Sequence, residues 1–276
     1  ANQALGINLE KLSQVGVDMF VVSSYYYTNQ QTDLAKIKQV VPDKAVYLEM
    51  AYCNSRLGIS GERKYTTDHQ FYTSANLALN RGADGFLLWN FVYYRLFAKH
   101  DPPWHVIRRL NDKQWLSNQS QWYFQDTIEY HYRYPSIPAE YRPLPKKMGR
   151  GDSYTLKFDL VPLDQYHEGV LRIKTSVPHD HVGCKWTVTF NGTDLCPVDY
   201  VRKPLDHRYE RGLGEPEQYS CFLIPPWYES DNKEYYTCKP LVLKDGDNNV
   251  TITLDEIKGN GSVWLQSVDF TLPTIR

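Results

Sequence analysis

Apolar residues in the first half of the chain form short continuous runs separated by helix-like patterns. The runs are apolar almost throughout, which is typical of strands covered on both faces of a parallel sheet; they are "VDMFVVSS", "AVYLEM" and "DGFLLWNF". Between and beside them, apolar side chains recur at helical spacing over residues 8–16, 32–42, 66–82 and 102–112. Residues 6–125 are therefore predicted to alternate helices and parallel strands, with three strands in all.

The pattern changes beyond residue 125. Residues 126–150 are rich in proline and charge and are predicted to form an extended connector. From residue 153 onward, short alternating runs stand between turn signals such as Asn-Gly and Asp-Gly; these runs are "YTLKFDL", "GVLRIKT", "KWTVTFNG", "YSCFLIP", "NNVTITLD" and "VWLQSVDFTL". Residues 151–276 are therefore predicted to form a β-sandwich, jelly-roll-like or immunoglobulin-like.

Composition narrows the class of protein. The net charge is −1 with both signs scattered, so no basic surface for nucleic acid is expected. No apolar run reaches the roughly 20 residues that a membrane-spanning helix needs. The chain contains 22 tyrosines and seven tryptophans, rings that suit both packed cores and sugar-stacking surfaces.

The five cysteines leave two readings open. None forms a C-x-x-C pair, so a structural zinc site is not expected. Four of them could make two disulfides in a secreted protein, whereas the odd number favours buried thiols.

The first half also resembles a known class of proteins. The stretches "VDMFVVSSYYYTNQQTDLAKIKQVVPDKAVYLEM", "RKYTTDHQFYTSANLALNRGADGFLLWNFVYYR" and "PPWHVIRRLNDKQWLSNQSQWYF" are similar to the last three β/α units of glycoside hydrolase-like TIM-barrel proteins from polysaccharide-degrading bacteria, which carry a C-terminal β-sandwich. The resemblance implies a partial (β/α)₈ barrel in residues 1–125, because a full barrel needs about 250 residues. It also implies a carbohydrate-active protein, periplasmic or extracellular.

Under this resemblance, Glu49 ends the seventh barrel strand, where retaining glycosidases of this fold carry their nucleophile. Active sites of such barrels lie at the carboxyl ends of the strands. The general acid of that mechanism ends the fourth strand, which this chain does not contain. The alternative for Glu49 is an ion pair with Arg63, Arg81 or Arg95 that holds loops in place.

Aromatic and polar residues follow the same strand ends and are candidate substrate-binding residues. They are Trp89, Asn90 and Arg95 after "DGFLLWNF", Asn54 after "AVYLEM", and Tyr25 and Tyr26, with Ser23, after "VDMFVVSS". Strand alternation sends Trp89 and Asn90 to opposite sides, so one of the two is expected to face the barrel interior. The alternative for the "WNFVYYR" cluster is aromatic packing against the last helix.

Other chemistry receives little support from the sequence. His179 and His181 lack a third metal ligand at a suitable spacing, Asp33 is expected to cap a helix, and Asp84 lies before its strand, where stabilising roles dominate. No G-x-G-x-x-G, P-loop, H-E-x-x-H or G-x-S-x-G motif occurs, and no cofactor is expected.

Two functional hypotheses follow. The first is glycoside hydrolysis, with the barrel completed by an N-terminal fragment or by a second copy of the chain. The second is a non-catalytic carbohydrate-binding or structural protein. The sandwich is expected to buttress the barrel, because its connector is proline-stiffened rather than flexible. The alternative is that the sandwich binds sugars through exposed aromatics; the candidates are Trp227, Tyr228, Tyr235 and Tyr236.

Overall fold

The computed structural model describes residues 7–23, 30, 33–57, 62–127, 143–176, 183–199, 205, 219–226, 241–259 and 261–274. Within these residues, five helices lie in the first half of the chain: α1 (Leu9–Gln14), α2 (Leu34–Val40), α3 (Asp68–Asn80), α4 (Trp104–Ile107) and α5 (Lys113–Leu116). A parallel sheet has the order β1-β2-β5 and consists of β1 (Met19–Ser23), β2 (Ala45–Ala51) and β5 (Gly85–Trp89).

The predicted strands of this half are confirmed, and two local predictions are wrong. The three strands predicted for residues 6–125 do not include the antiparallel hairpin of β3 (Cys53–Leu57) and β4 (Glu62–Tyr65), which follows β2. The single helix predicted over residues 102–112 is only the short helix α4, and a separate helix, α5, follows it. They are separate because the Asp112 side chain accepts a hydrogen bond from the Trp115 backbone N–H at 3.0 Å, which caps a new helix.

Helix α3 is the central layer of the molecule, and nearly all of it is buried. It begins with a capping box, in which the Thr67 side chain accepts from the Gln70 N–H and the Gln70 side chain accepts from the Thr67 N–H. Phe71, Ala75 and Ala78 belong to the same apolar cluster as the inner residues of the parallel sheet. The opposite side of α3 contacts β6 (Gln121–Gln125).

Residues 143–274, together with β6, form two antiparallel sheets. The four-stranded sheet has the order β11-β10-β14-β8 and contains β8 (Ser153–Leu160), β10 (Lys185–Phe190), β11 (Thr193–Asp194) and β14 (Gly246–Glu256). The six-stranded sheet has the order β12-β13-β9-β15-β6, with β7 also paired to β15; its strands are β6, β7 (Lys146–Gly149), β9 (Gly169–Thr175), β12 (Cys196–Val198), β13 (Tyr219–Ile224) and β15 (Ser262–Leu272).

The two antiparallel sheets share one apolar core. Phe270 lies at its centre, with ring centroids 5.1 Å from those of Phe158 and Phe190 and 5.0 Å from that of Tyr123. All six strands predicted after residue 153 are present. The assignment of the two halves to a (β/α)₈ barrel and a jelly roll stays a prediction.

The expected domain limits do not coincide with the sheets. Strand β6 ends at the expected boundary, residue 125, yet it pairs with residues 268–272 of β15 in the six-stranded sheet. Strand β7, within the expected connector, pairs with residues 262–265 of the same strand. Both segments therefore fill one edge of β15, which a local sequence pattern does not reveal.

Hydrogen bonds join α3 to the six-stranded sheet. The Trp122 N–H donates to the Thr73 hydroxyl at 2.7 Å. The buried Gln30 side chain donates to Ser74 Oγ at 2.8 Å and accepts from the Phe124 N–H at 2.9 Å. Every backbone and side-chain group in this set is buried, so the two halves share a continuous interior in the described residues.

Charged groups join the α/β half to the four-stranded sheet as well. Arg81, at the carboxyl end of α3, donates to both carboxylate oxygens of Asp159 and to Asp245 Oδ1 at 2.7 Å. These carboxylates raise the pKa of Arg81 above its ordinary value, through the Asp159 hydrogen bonds above all. The sandwich is thus held against the α/β half by fixed ion pairs.

A second ion pair is completely buried in the six-stranded sheet. Arg172 on β9 donates to its register partner Asp269 on β15 at 2.8 and 3.0 Å, and neither side chain is exposed. Its guanidinium lies 4.8 Å from the Tyr219 ring centroid and 5.5 Å from that of Trp122. Burial alone would lower the pKa of Arg172, but the Asp269 carboxylate holds it above the ordinary value.

Candidate functional site

The two faces of the parallel sheet differ in what covers them. Val46, Leu48 and Met50 of β2 are buried in the cluster that includes residues of α2 and α3. Alternation places Tyr47 and Glu49 on the opposite face, where both are half-buried. The candidate site lies on this second face, which is called the open face below.

Glu49 is held by a neighbouring strand. Its register partners are Ser23 at the end of β1 and Leu87 in β5. The Ser23 hydroxyl donates to Glu49 Oε1 at 2.7 Å. A hydrogen bond of this length restrains the carboxylate at the carboxyl end of the sheet.

Two of the three arginines considered as ion-pair partners of Glu49 pair with other carboxylates. Arg81 pairs with Asp159 and Asp245. Arg95 donates to Asp101 at 2.7 Å on the surface. The side chain of Arg63 lies outside the described part of the chain.

Trp89 lies on the open face, at the last position of β5. It is the register partner of Ala51, two residues beyond Glu49 on β2, and 48% of it is exposed. Asn90 follows in a left-handed conformation, with φ of 54°, and turns the chain out of the strand. Of the two residues, Trp89 is therefore the one that shares a face with Glu49.

Of the remaining predicted site residues, Tyr25 and Tyr26 lie outside the described residues. Asn54 is in the backbone of hairpin strand β3, and its side chain lies outside the described part. Arg95 is in the π-helical turn Tyr94–Ala98 and carries an exposed side chain. His179, His181 and the four candidate sandwich aromatics also lie outside the description.

Tyr47 is a site residue that the sequence analysis did not single out. A Cβ atom at Gly85 would lie 2.9 Å from the Tyr47 ring, so the ring lies directly over this glycine on β5. The period-two spacing from Glu49 could have revealed it, since Tyr47 and Glu49 must share a face. The open face therefore carries two aromatic rings, Tyr47 and Trp89.

An aromatic cluster supports the loops at the carboxyl end of the sheet. Tyr52 contacts Tyr93 edge-on at 5.6 Å between centroids and Tyr94 at 6.1 Å. The buried Tyr94 hydroxyl donates to the Thr66 carbonyl at 2.6 Å. These contacts fix the base of the β3–β4 hairpin, because Thr66 follows β4 directly, and the hairpin thus stands at the end of the sheet that carries Glu49.

The amino end of the sheet carries a stabilising carboxylate, Asp84. It accepts hydrogen bonds from Lys38 Nζ at 2.7 Å and from the Val46 N–H at 2.8 Å. The Lys38 contact first, and the Val46 contact second, lower the pKa of Asp84 below its ordinary value. Asp84 thus ties α2 and β2 to the start of β5 and lies away from Glu49.

Replacing Asp84 with asparagine removes the charge and keeps an acceptor for Val46. We expect a loss of about 0.5–1 kcal/mol in the free energy of unfolding at pH 7, because the pair is partly exposed. Because the pKa of Asp84 is lower in the folded state, its ionised form stabilises the fold at pH values above the unfolded pKa of about 3.9. This stabilisation is lost as the pH falls through the folded-state pKa. Urea unfolding at pH 7 and near pH 3 measures this, with the exposed Asp33→Asn as control. A difference that persists unchanged at the lower pH would contradict the assignment.

The open face can offer a ligand a restrained carboxylate, a hydroxyl and two rings. The other acidic groups of the α/β half that have described ion-pair partners lie elsewhere: Asp18 and Asp84 at the amino ends of strands, Asp33 against Lys36, Asp68 against His105, Asp101 against Arg95, and Asp112 against Arg109. Among the described residues, no acidic side chain shares a hydrogen bond or ion pair with Glu49 or Ser23.

Among the described residues, no group of three or more His, Cys, Asp or Glu side chains is arranged to hold a metal ion. No helix in the described ranges has the length and apolar character to cross a membrane.

Cys196 is disulfide-bonded, whereas Cys53, Cys184 and Cys221 form no disulfide. The disulfide is of the kind that oxidising compartments favour.

Comparisons with known proteins include a distant structural likeness. No family model and no curated protein matches the chain. Among solved structures, a similar one is a glycoside hydrolase of family 86. It is BpGH86A, a β-porphyranase from the human gut bacterium Bacteroides plebeius, with 20% identity over 47% of this chain and 19% of that chain, at a TM-score of 0.28. The chain thus spans about a fifth of that protein's length, and a TM-score this low does not show a shared fold.

Proposed function

We propose that the open face of the parallel sheet is a carbohydrate site and that the chain belongs to a glycoside hydrolase-like protein. The observation that carries the proposal is the placement of Ser23, Glu49 and Trp89 on one face, at the carboxyl ends of three adjacent parallel strands. Active sites of α/β sheets lie at this end. The resemblance of residues 16–125 to such barrels is in line with this assignment.

The chemistry of the three groups suits a sugar. A pyranose presents hydroxyl groups, which a carboxylate accepts from, and an apolar C–H face, which stacks on an exposed indole ring. In hydrolysis, Glu49 would act as the nucleophile or would stabilise the positive charge that develops at the anomeric carbon. The fixed position of Oε1 against Ser23 leaves Oε2 as the reacting oxygen.

The second candidate is carbohydrate binding without turnover. It is favoured by one observation, that the acidic side chains of the α/β half with described ion-pair partners all pair with basic groups and not with Glu49 or Ser23. A retaining mechanism needs the two carboxyl groups about 5 Å apart. Binding through Trp89 and Glu49 does not need the second group.

Affinity electrophoresis through gels that contain single soluble polysaccharides tests the site. The wild-type chain is expected to be retarded by at least one polysaccharide, and Trp89→Ala is expected to weaken this binding about tenfold, because a stacked ring contributes roughly 1–2 kcal/mol. The matched control is Trp264→Ala, a tryptophan of the sandwich that is 39% exposed.

The two variants also show which half of the molecule binds the polysaccharide. Loss of binding in Trp264→Ala with normal binding in Trp89→Ala would place the sugar site on the sandwich and contradict the proposal. No retardation of the wild-type chain by any polysaccharide would contradict both the catalytic and the binding reading.

A further inference from the structure

The chain passes from one sheet of the sandwich to the other at Leu195. Asp194 ends β11 in the four-stranded sheet, and Cys196 begins β12 in the six-stranded sheet. Leu195 is buried in the sandwich core and donates its N–H to the Val188 carbonyl at 2.9 Å. Cys196 therefore lies at a corner between the two sheets, next to a buried core position.

Strand β12 itself is weakly held by packing. It is three residues long, it pairs only with β13 among the described strands, and none of its side chains is buried. Its middle residue, Pro197, has no N–H to donate. So little buried apolar surface gives the strand little stability of its own. A covalent tether is present at its first residue, because Cys196 is disulfide-bonded.

The partner of Cys196 follows by elimination. The chain contains five cysteines, namely Cys53, Cys184, Cys196, Cys221 and Cys238. Cys53, Cys184 and Cys221 form no disulfide. Within one chain, Cys238, which lies outside the described residues, is then the thiol left to pair with Cys196.

Described contacts bring together the chain segments that lead to the two cysteines. Leu195 and Leu241 belong to the same buried cluster. The Asn191 side chain, in the turn between β10 and β11, donates to the Val242 carbonyl at 2.8 Å. Cys238 is three residues before Leu241, and three residues span at most about 11 Å. The backbone can therefore reach from Leu241 to the corner that follows Leu195.

A buried asparagine fixes this meeting of segments. Asn248, at the start of β14, is fully buried, and its side-chain oxygen accepts from Asn191 Nδ2 at 2.8 Å and from the Lys244 N–H at 3.0 Å. Its side-chain amide donates to the Lys244 carbonyl at 2.8 Å. These bonds hold the chain before β14 against the turn that precedes β11.

We infer that Cys196 and Cys238 form a disulfide, and that this disulfide holds edge strand β12 on the sandwich. It closes a loop of roughly 40 residues, and its constraint on the unfolded chain favours the folded state. Its formation removes two protons and two electrons from the two thiols. A disulfide oxidant of an oxidising compartment, such as oxidised glutathione, takes them up by exchange and is reduced to two thiols.

The other three cysteines are poorly suited to exchange with this disulfide. Cys53 and Cys221 are only 5% and 3% exposed. Burial raises the pKa of the half-buried Cys184 thiol to about 11, so little of it is thiolate at neutral pH. Because the thiolate is the attacking species, one defined pairing is expected instead of a mixture.

Peptide mapping of the full 276-residue chain tests the pairing. The reduced chain is refolded with reduced and oxidised glutathione, its remaining thiols are alkylated, and it is digested without reductant. The expected product is a linked pair of peptides that contains Cys196 and Cys238, beside three alkylated cysteines. Alkylated Cys196, a link from Cys196 to another cysteine, or a disulfide between two chains would each overturn the proposal.

Reduction measures what the disulfide contributes to stability. In urea titrations, tris(2-carboxyethyl)phosphine is expected to lower the equilibrium constant for folding about thirtyfold or more. Cys196→Ser and Cys238→Ser should lose as much and should no longer respond to the phosphine. The matched control, Cys184→Ser, should respond as the wild-type chain does. An unresponsive wild-type chain, or a Cys196→Ser variant that still responds, would contradict the assignment.

Hydrogen exchange locates the effect within the sandwich and needs no variant. Reduction is expected to speed exchange at least tenfold in the peptide that covers β12. The peptide that covers β7, a second short strand of the same sheet, should be unchanged. Equal exchange in β12 before and after reduction would show that the disulfide does not hold this strand.

Discussion

Glu49→Gln is expected to lower the release of dinitrophenolate from 2,4-dinitrophenyl glycosides by at least about a thousandfold, or about 4 kcal/mol of transition-state stabilisation. Glutamine keeps the shape of Glu49 and can still accept from Ser23, so the fold should be unchanged. It lacks the charge that attacks or stabilises the anomeric carbon. The effect should therefore appear in turnover, with little change in sugar binding.

The substrate is chosen because its leaving group needs no general acid. In the proposed hydrolysis, an oxygen of the Glu49 carboxylate would form a bond to the anomeric carbon, and the bond to dinitrophenolate would break with its electron pair on the leaving oxygen. Water would then hydrolyse the glycosyl ester and regenerate the carboxylate. The reaction can thus be followed by absorbance without a second carboxylate, over a panel of α- and β-linked glucosides, galactosides and xylosides.

The matched control for this variant is Glu256→Gln. Glu256 pairs with Lys185 at 3.0 Å on the exposed side of the sandwich and is remote in the sequence from the strand ends of the site. Its replacement should leave turnover unchanged. Equal turnover by Glu49→Gln and the wild-type chain would show that Glu49 is not the reacting group, and polysaccharide binding without dinitrophenolate release would favour the non-catalytic reading.

Arg172→Ala is expected to reduce the free energy of unfolding by about 3–5 kcal/mol, the typical cost of removing one partner from a buried ion pair. The variant leaves the Asp269 carboxylate in the interior without its bidentate donor. It also removes the guanidinium from beside the Trp122 and Tyr219 rings. Urea unfolding monitored by tryptophan fluorescence measures the loss.

The chain offers a close control in Arg109→Ala. Arg109 also pairs with an aspartate, Asp112 at 2.9 Å, and also lies over a tryptophan, Trp115 at 5.3 Å, but half of its side chain is exposed. An exposed pair of this kind contributes less than about 1 kcal/mol. Similar losses in the two variants would contradict the view that burial gives the Arg172 pair its importance.

The strands could be predicted from the sequence because their burial follows local periodicity. The run that became β2 is apolar at six of its seven positions, and β8, β10 and β14 alternate between core and surface. Helix α3 was also recognisable, since it lies within the helix predicted over residues 66–82. The hairpin β3–β4 was not, since its polar sequence carries no apolar repeat and its position depends on contacts such as Tyr94 with Thr66.

Pairings that are distant in the sequence could not be predicted. Strand β6 is buried at all five positions, which suits a central strand of either half. Only its partner, residues 268–272 of β15, decides that it belongs to the six-stranded sheet. The partners of Arg81 lie 78 and 164 residues away, so the sequence offered no reason to prefer them over Glu49.

For the candidate site, the sequence predicted which residues end the strands, and the structure showed which residues of neighbouring strands are paired. Glu49 and Trp89 were expected at the carboxyl end of the sheet, and both occur there. Their common face follows from pairing Ala51 with Trp89, and the bond from Ser23 follows from pairing Ser23 with Glu49. Neither register can be deduced from the strands one at a time.

The position of strand β6 also limits where the chain can be divided by recombination or by protein engineering. Its backbone completes a sheet of the sandwich, while Phe124 lies in the apolar cluster of the α/β half. A genetic crossover on either side of residues 121–125 would make β6 contact either α3 or β15 of a different parent. The two halves should therefore be exchanged between relatives only as a single cassette, and a graft of the sandwich alone would have to carry β6 and the surface of α3 that packs on it.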